Sequence, residues 1–131
     1  MFSQPTEGLD VTNAEPFSAV FPPDPTQLQK LRQDVLRWLG EIGTDDREVQ
    51  DAVVVATHEA VASAMGSPGD VYVDANSDGE IVTVVVTSAD GWTSPDDDLG
   101  GSRMSLVRQM VENVAFEKRS GEPRLSFQKR L

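Results

Sequence analysis

The sequence contains no cysteine and only one histidine among its 131 residues. Without cysteine the chain cannot form disulfides or thiolate metal sites, which fits a reducing compartment. A single imidazole also excludes any metal centre built on several histidines. The length matches one domain, and a domain of this size can bury roughly two-thirds of its unfolded surface.

Basic residues are also scarce, because 11 Lys and Arg stand against 22 Asp and Glu, for a net charge of −11. Such a surface repels phosphate backbones and anionic membranes, so we predict no direct contact with nucleic acid or membrane. The charge favours a protein partner with a basic patch; the alternative is that it only maintains solubility. Apolar runs are too short to span a bilayer, and the first ten residues lack signal-peptide features, so we expect a cytoplasmic protein.

Residues 1–15 are polar and aperiodic, so we predict a flexible N-terminal tail followed by one domain over residues 16–131. The first predicted strand covers 16–21. A helix follows that is opened by Asp24 or Thr26 and ended by Gly40 and Gly43, and a second helix is capped by Thr44 or Asp45 and ended at 66–69. The remaining predicted elements are strands at 71–75 and 81–87, a helix at 104–114, and strands at 114–118 and 125–131. This order predicts a mostly antiparallel sheet covered on one face by helices, a two-layer α/β (α+β) sandwich.

Two segments of this pattern resemble a known family. Residues 58–64 read His-Glu-Ala-Val-Ala-Ser-Ala, and residues 101–108 read Gly-Ser-Arg-Met-Ser-Leu-Val-Arg. In order and spacing they resemble the anti-sigma-factor serine kinases of bacterial partner switching, whose motifs are Glu-Ala-Val-x-Asn-Ala and Gly-x-Gly-Leu-x-Leu-(Val/Met)-Arg. The resemblance covers residues 17–131 and implies the histidine-kinase-like ATPase (GHKL) fold.

The resemblance also implies which residues would hold Mg-ATP. Glu59 corresponds to the family's carboxylate, which positions or activates the attacking group. Ser63 stands one helical turn later, in place of the amide that holds magnesium; a serine hydroxyl is shorter and a poorer ligand for a hard cation.

The adenine and phosphate positions differ from the family as well. Ser88 takes the place of the aspartate that receives adenine and Asp90 that of the glycine, with Gly91 leading to Trp92. Using Asp90 as the adenine ligand would misplace Trp92. In the lid, Gly101 is kept, but Arg103 replaces the second glycine; its side chain would crowd the phosphate path, although its charge could contact phosphate.

Three of the four nucleotide-binding features are therefore altered. We predict a degenerate member: an anti-sigma-factor-like regulator that binds a sigma factor, an anti-anti-sigma factor, or both, without ATP. The alternative is an active serine kinase that uses ATP and Mg²⁺ through Glu59, and a third possibility is a pocket for another small ligand. The resemblance places partners or a second subunit, in a possible homodimer, on the first helix around Gln29, Arg32 and Gln33.

Several single residues allow two interpretations. Glu59 is either a general base or a carboxylate without a catalytic role. We interpret His58 as an ordinary helix-surface residue, the alternative being a switch near neutral pH. Trp92 either contacts a partner or closes the pocket against the sheet. The acidic run at 96–98 is interpreted as part of a solvated loop rather than a cation site.

Overall fold

The computed structural model describes residues 15–88, 92 and 101–131. Its elements are β1 (Phe17–Phe21), α1 (Leu28–Glu41), α2 (Arg47–Ala64), β2 (Val71–Ser77), β3 (Ile81–Ser88), α3 (Gly101–Met110), β4 (Glu112–Arg119) and β5 (Glu122–Arg130). All strand pairs are antiparallel, in the order β1-β2-β3-β5-β4. The predicted two-layer α+β architecture is confirmed. The tail predicted for residues 1–15 lies outside the described residues except for Glu15.

The sheet has one apolar face because side chains alternate along each strand. In β3, every second residue is buried, and β2 follows the same alternation. Val84 lies opposite Phe127 of β5, and both are almost fully buried. Tyr72 and Thr87, which are paired on the other face, are exposed and half-buried respectively. A one-residue slip would reverse this pattern, so burial fixes the register.

Helix α1 follows a short 3-10 turn that Asp24 caps by accepting a hydrogen bond from the Thr26 amide at 3.0 Å. It ends before Gly43, whose φ of +87° is a left-handed conformation that favours glycine. Trp38 of α1 is buried, and its indole N–H donates to the Glu15 carbonyl at 2.8 Å.

Helix α2 is capped by Asp46, so the predicted caps Thr44 and Asp45 are wrong. The Asp46 carboxylate accepts from the amides of Glu48 at 2.9 Å and Val49 at 3.3 Å. Thr44 is buried, and its amide donates to the Leu39 carbonyl at the end of α1. Because Thr44 is still bonded to the end of α1, the next helix begins only at Arg47.

The C-terminal third differs from the prediction in its boundaries. Helix α3 ends at Met110, four residues earlier than expected, and β4 already begins at Glu112. Within β4, Asn113 adopts φ +56° and the β4–β5 register shifts between Glu112 and Ala115. Asn is among the few residues that tolerate this left-handed region. The last turn consists of Ser120 and Gly121, both with positive φ. Strand β5 begins at Glu122, three residues before the predicted start at residue 125.

Among residues 15–88, 92 and 101–131, no helix combines the length and the apolar character needed to cross a membrane.

The cap of α2 gives a stability prediction with a matched control. Asp46→Ala should lower the free energy of unfolding by about 1 kcal/mol, because two amides at the helix start lose their acceptor. Asp45→Ala removes the same charge from the neighbouring, exposed position and should cost clearly less. Urea unfolding followed by circular dichroism measures both, and equal losses would contradict the assignment of the cap.

Candidate functional site

The polar side of α2 carries Glu59, which is paired with Arg103 of α3. A guanidinium nitrogen of Arg103 (Nη1) lies 2.8 Å from Glu59 Oε1, with the Glu59 side chain 19% exposed and that of Arg103 39% exposed. Arg103 occupies the first turn of α3, where the helix dipole disfavours a cation, and α3 has no acidic residue in that turn. The Glu59 carboxylate offsets this charge from the neighbouring helix. The pair thus joins the two segments that the sequence singles out.

Ser63 lies one turn after Glu59 and faces Trp92. The indole N–H of Trp92 donates to the Ser63 hydroxyl at 3.2 Å. Trp92 is 3% exposed, and its ring meets Phe116 of β4 edge-on, with centroids 5.2 Å apart at 88°. This is a favourable aromatic geometry. Of the two interpretations of Trp92, the structure favours the one in which it closes the pocket against the sheet.

His58 joins α2 to α1. Arg32 Nη1 lies 2.9 Å from His58 Nδ1, and His58 Nε2 lies 3.7 Å from Glu59 Oε2. Burial lowers the pKa of His58 below its ordinary value of 6.5; Glu59 opposes this shift, whereas Arg32 and Arg103 reinforce it. His58 is therefore not the ordinary surface residue that the sequence suggested, since its imidazole is partly buried within a charged cluster.

Ser88 ends β3 and does not face the solvent. It is 1% exposed, and its hydroxyl has no hydrogen-bond partner within the described part of the chain. Asp90 and Gly91, the other predicted adenine contacts, and the acidic run at 96–98 lie outside the described residues. Gly101 is the first residue of α3, two positions before Arg103. The structure thus brings together Glu59 and Arg103, and separately Ser63 and Trp92.

These contacts decide how well the described residues fit Mg-ATP. Magnesium prefers carboxylate and water oxygens in near-octahedral geometry. Here the Glu59 carboxylate accepts a hydrogen bond from Arg103, and the Ser63 hydroxyl accepts one from Trp92. Across residues 15–88, 92 and 101–131, no cluster of three or more His, Asp or Glu side chains could hold a metal ion. As folded, the Glu59 carboxylate and the Ser63 hydroxyl are therefore both engaged by side chains of the chain itself.

Sequence reasoning missed all three side-chain pairings of this site. Arg103 was expected to crowd the phosphate path, although its charge could contact phosphate; in the structure its partner is the Glu59 carboxylate. One signal for the ion pair was present in the sequence. Arg103 replaces a lid glycine of the family while the family's glutamate is kept as Glu59, so a cation and an anion occupy motif positions that are expected to face each other.

Comparison with known proteins bears on the fold. No protein-family model and no curated protein matches the sequence. The structure is similar to the crystal structure of the RsbU and RsbW domains of Rv1364c from Mycobacterium tuberculosis, with a TM-score of 0.70 over 90% of this chain. The two share a fold. Their sequences are 20% identical, and this chain spans 33% of the length of that one, about a third.

The Trp92–Ser63 contact is measurable by a double-mutant cycle. Trp92→Phe keeps an aromatic ring but removes the N–H donor, and Ser63→Ala removes the acceptor. Because each variant breaks the same hydrogen bond, we expect a coupling energy of about 0.5–1.5 kcal/mol in urea unfolding.

Trp38 provides the matched control, because its N–H donates to Glu15 instead of Ser63. Trp38→Phe combined with Ser63→Ala should be additive within about 0.5 kcal/mol. Additivity in the Trp92 cycle as well would show that the hydrogen bond contributes nothing to stability.

Proposed function

We propose that this chain is a cytoplasmic, protein-binding regulator of the anti-sigma type that holds its partner without ATP. The observation that carries the proposal is the Glu59–Arg103 ion pair at 2.8 Å. It occupies the one carboxylate that matches the family's catalytic position. The partner would be a sigma factor, an anti-anti-sigma factor, or both.

The ion pair argues against phosphoryl transfer because that reaction depends on positioning and charge. A general base must lie within hydrogen-bond reach of the hydroxyl that it deprotonates. Glu59 Oε1 already accepts from Arg103, and Oε2 faces His58. To act as a base, Glu59 would first have to exchange a charged hydrogen bond for one to a neutral hydroxyl, which is a weaker contact.

The positions for magnesium and adenine support the same proposal. The Ser63 side chain is held by the buried Trp92, so a cation at this place would have to displace an indole. The Ser88 hydroxyl is enclosed by protein, out of reach of a ligand in an open cleft. Among the described residues, the Ser63 and Ser88 side chains, which the resemblance assigns to magnesium and adenine, are thus held or enclosed by the chain itself.

A protein partner fits the charge and the resemblance. The net charge of −11 favours a basic surface on the partner. The fold is shared with a structure whose named domains include RsbW, and the sequence resembles anti-sigma-factor kinases. We place the partner, or a second copy of the chain, on the exposed side of α1 around Gln29, Arg32 and Gln33.

The second candidate is the active serine kinase that phosphorylates an anti-anti-sigma factor. The exposure of Arg103 favours this second candidate, because 39% of its side chain is accessible and could meet a ligand. If Arg103 turned outward onto the phosphates of a bound nucleotide, Glu59 would be released for catalysis.

The test begins with capture of the partner from native cytoplasm on the immobilised full chain, with identification by mass spectrometry. The affinity for the purified partner is then measured with and without Mg-ATP. We expect the two dissociation constants to agree within about twofold, equivalent to about 0.4 kcal/mol. Calorimetric titration of the chain with Mg-ATP should show no binding heat.

Glu59→Gln separates the two candidates. The regulator should bind its partner equally well with this substitution, because the side chain keeps its shape and an oxygen that accepts from Arg103. Micromolar Mg-ATP binding, or transfer of phosphate to a serine of the partner that Glu59→Gln abolishes, would overturn the proposal in favour of the kinase.

A further inference from the structure

The contact between Arg32 and His58 fixes the protonation state of the imidazole. A guanidinium group has only donors, so the 2.9 Å contact from Arg32 Nη1 requires an unprotonated Nδ1 on His58. His58 must therefore be neutral, with its proton on Nε2. That N–H lies on the side of Glu59 Oε2, at 3.7 Å.

The charges around His58 come from all three helices. Arg32 faces it from α1, Glu59 from α2 and Arg103 from α3. Two cations and one anion therefore surround an imidazole whose side chain is 23% exposed. Because Glu59 is already paired with Arg103, it can only partly compensate a second positive charge at His58.

We infer that His58 is a pH-sensitive switch: when neutral it holds Arg32 of α1 against α2, and when protonated it releases Arg32. Protonation fills the Nδ1 lone pair, so the hydrogen bond from Arg32 is lost. It also places a positive imidazolium in direct contact with a positive guanidinium, and like charges at this distance repel.

The direction of the pH effect follows from the lowered pKa of His58. In the unfolded chain the imidazole takes up its proton near pH 6.5, whereas the folded protein resists protonation until a lower pH. The unfolded state therefore binds more protons between these two values, so stability falls as the pH decreases. The Arg32–His58 contact contributes fully above pH 6.5, and its contribution is lost as the pH falls through the pKa of the folded state.

The switch acts on a residue at the exposed side of α1. Arg32 there lies beside Gln29 and Gln33, which are exposed. Release of its guanidinium frees a cation on this surface and removes one polar contact between α1 and α2. If α1 binds the partner as proposed above, partner affinity should also change with pH. That consequence rests on the proposed function, whereas the switch itself does not.

The single histidine makes the experiment direct, because the imidazole signals of the full chain need no assignment. Long-range ¹H–¹⁵N spectra at pH 7.5 identify the tautomer, and we expect the proton on Nε2. Titration of the ring carbons by NMR should give a pKa below 6.5 for the wild type.

Two arginine variants of α1 test the contact itself. Arg32→Gln removes the cation at Nδ1, so the pKa of His58 should rise relative to the wild type. Arg37→Gln is the matched control: it removes the same charge from the same helix, but Arg37 pairs with Asp34 at 3.2 Å and does not contact His58. It should leave the His58 pKa nearly unchanged.

Stability provides an independent readout. Between pH 7.5 and 5.5 the wild type should lose stability in urea, and His58→Gln should lose less, because glutamine does not titrate. A proton on Nδ1 at pH 7.5, or equal His58 pKa values in the Arg32→Gln and Arg37→Gln variants, would overturn the inference. Because the NMR titration uses variants that retain His58, it decides the matter even if His58→Gln fails to fold.

Discussion

The close packing of α2 on the sheet is the contact on which the rest of the structure depends. Its buried side is rich in small residues, which let a neighbouring element approach the helix backbone more closely than larger side chains would. These small residues are Ala52, Ala56, Ala60 and Ala64. Since α2 also packs against α1 and α3, its position and rotation set where both neighbouring helices lie.

The rotation of α2 also orients the polar site. Glu59 directly precedes the fully buried Ala60, and Ser63 directly precedes Ala64. Successive helical residues point about 100° apart, so burial of the alanines turns Glu59 and Ser63 to the side of the helix. There they meet α3 and Trp92. A packing requirement thus positions the charged groups without any direct constraint from a ligand.

Three polar groups on this side of α2 are paired within the chain itself. Arg103 supplies a cation for Glu59, Trp92 a donor for Ser63, and Arg32 a donor for His58. Buried or partly buried polar groups are costly unless they are paired, so these contacts replace interactions that a bound ligand or water would otherwise supply. A regulator that works without nucleotide, as proposed here, needs such internal pairing to keep the fold intact when the cleft holds no ligand.

The sequence was sufficient to determine the number, type and order of the elements, and hence the two-layer architecture. Alternation in β2 and β3 and the helical spacing of apolar residues in α1 and α2 are local patterns, and their burial against one another leaves few other arrangements. Boundaries were harder to predict where backbone conformation decides them. Strand β4 begins at Glu112, within the stretch predicted as helix, and Asn113 there adopts a positive φ. Asp46 caps α2 because the preceding Thr44 still bonds to the end of α1.

Only the tertiary structure decided what the candidate residues contact. Glu59 and Arg103 are 44 positions apart in sequence, and Ser63 and Trp92 are 29 apart. Nothing local to either residue encodes such a pairing. It arises because α3 and Trp92, four positions after the end of β3, are brought to α2 by burial of apolar side chains elsewhere. Local chemistry can thus be read from the chain, whereas partners distant in sequence exist only once the core has assembled.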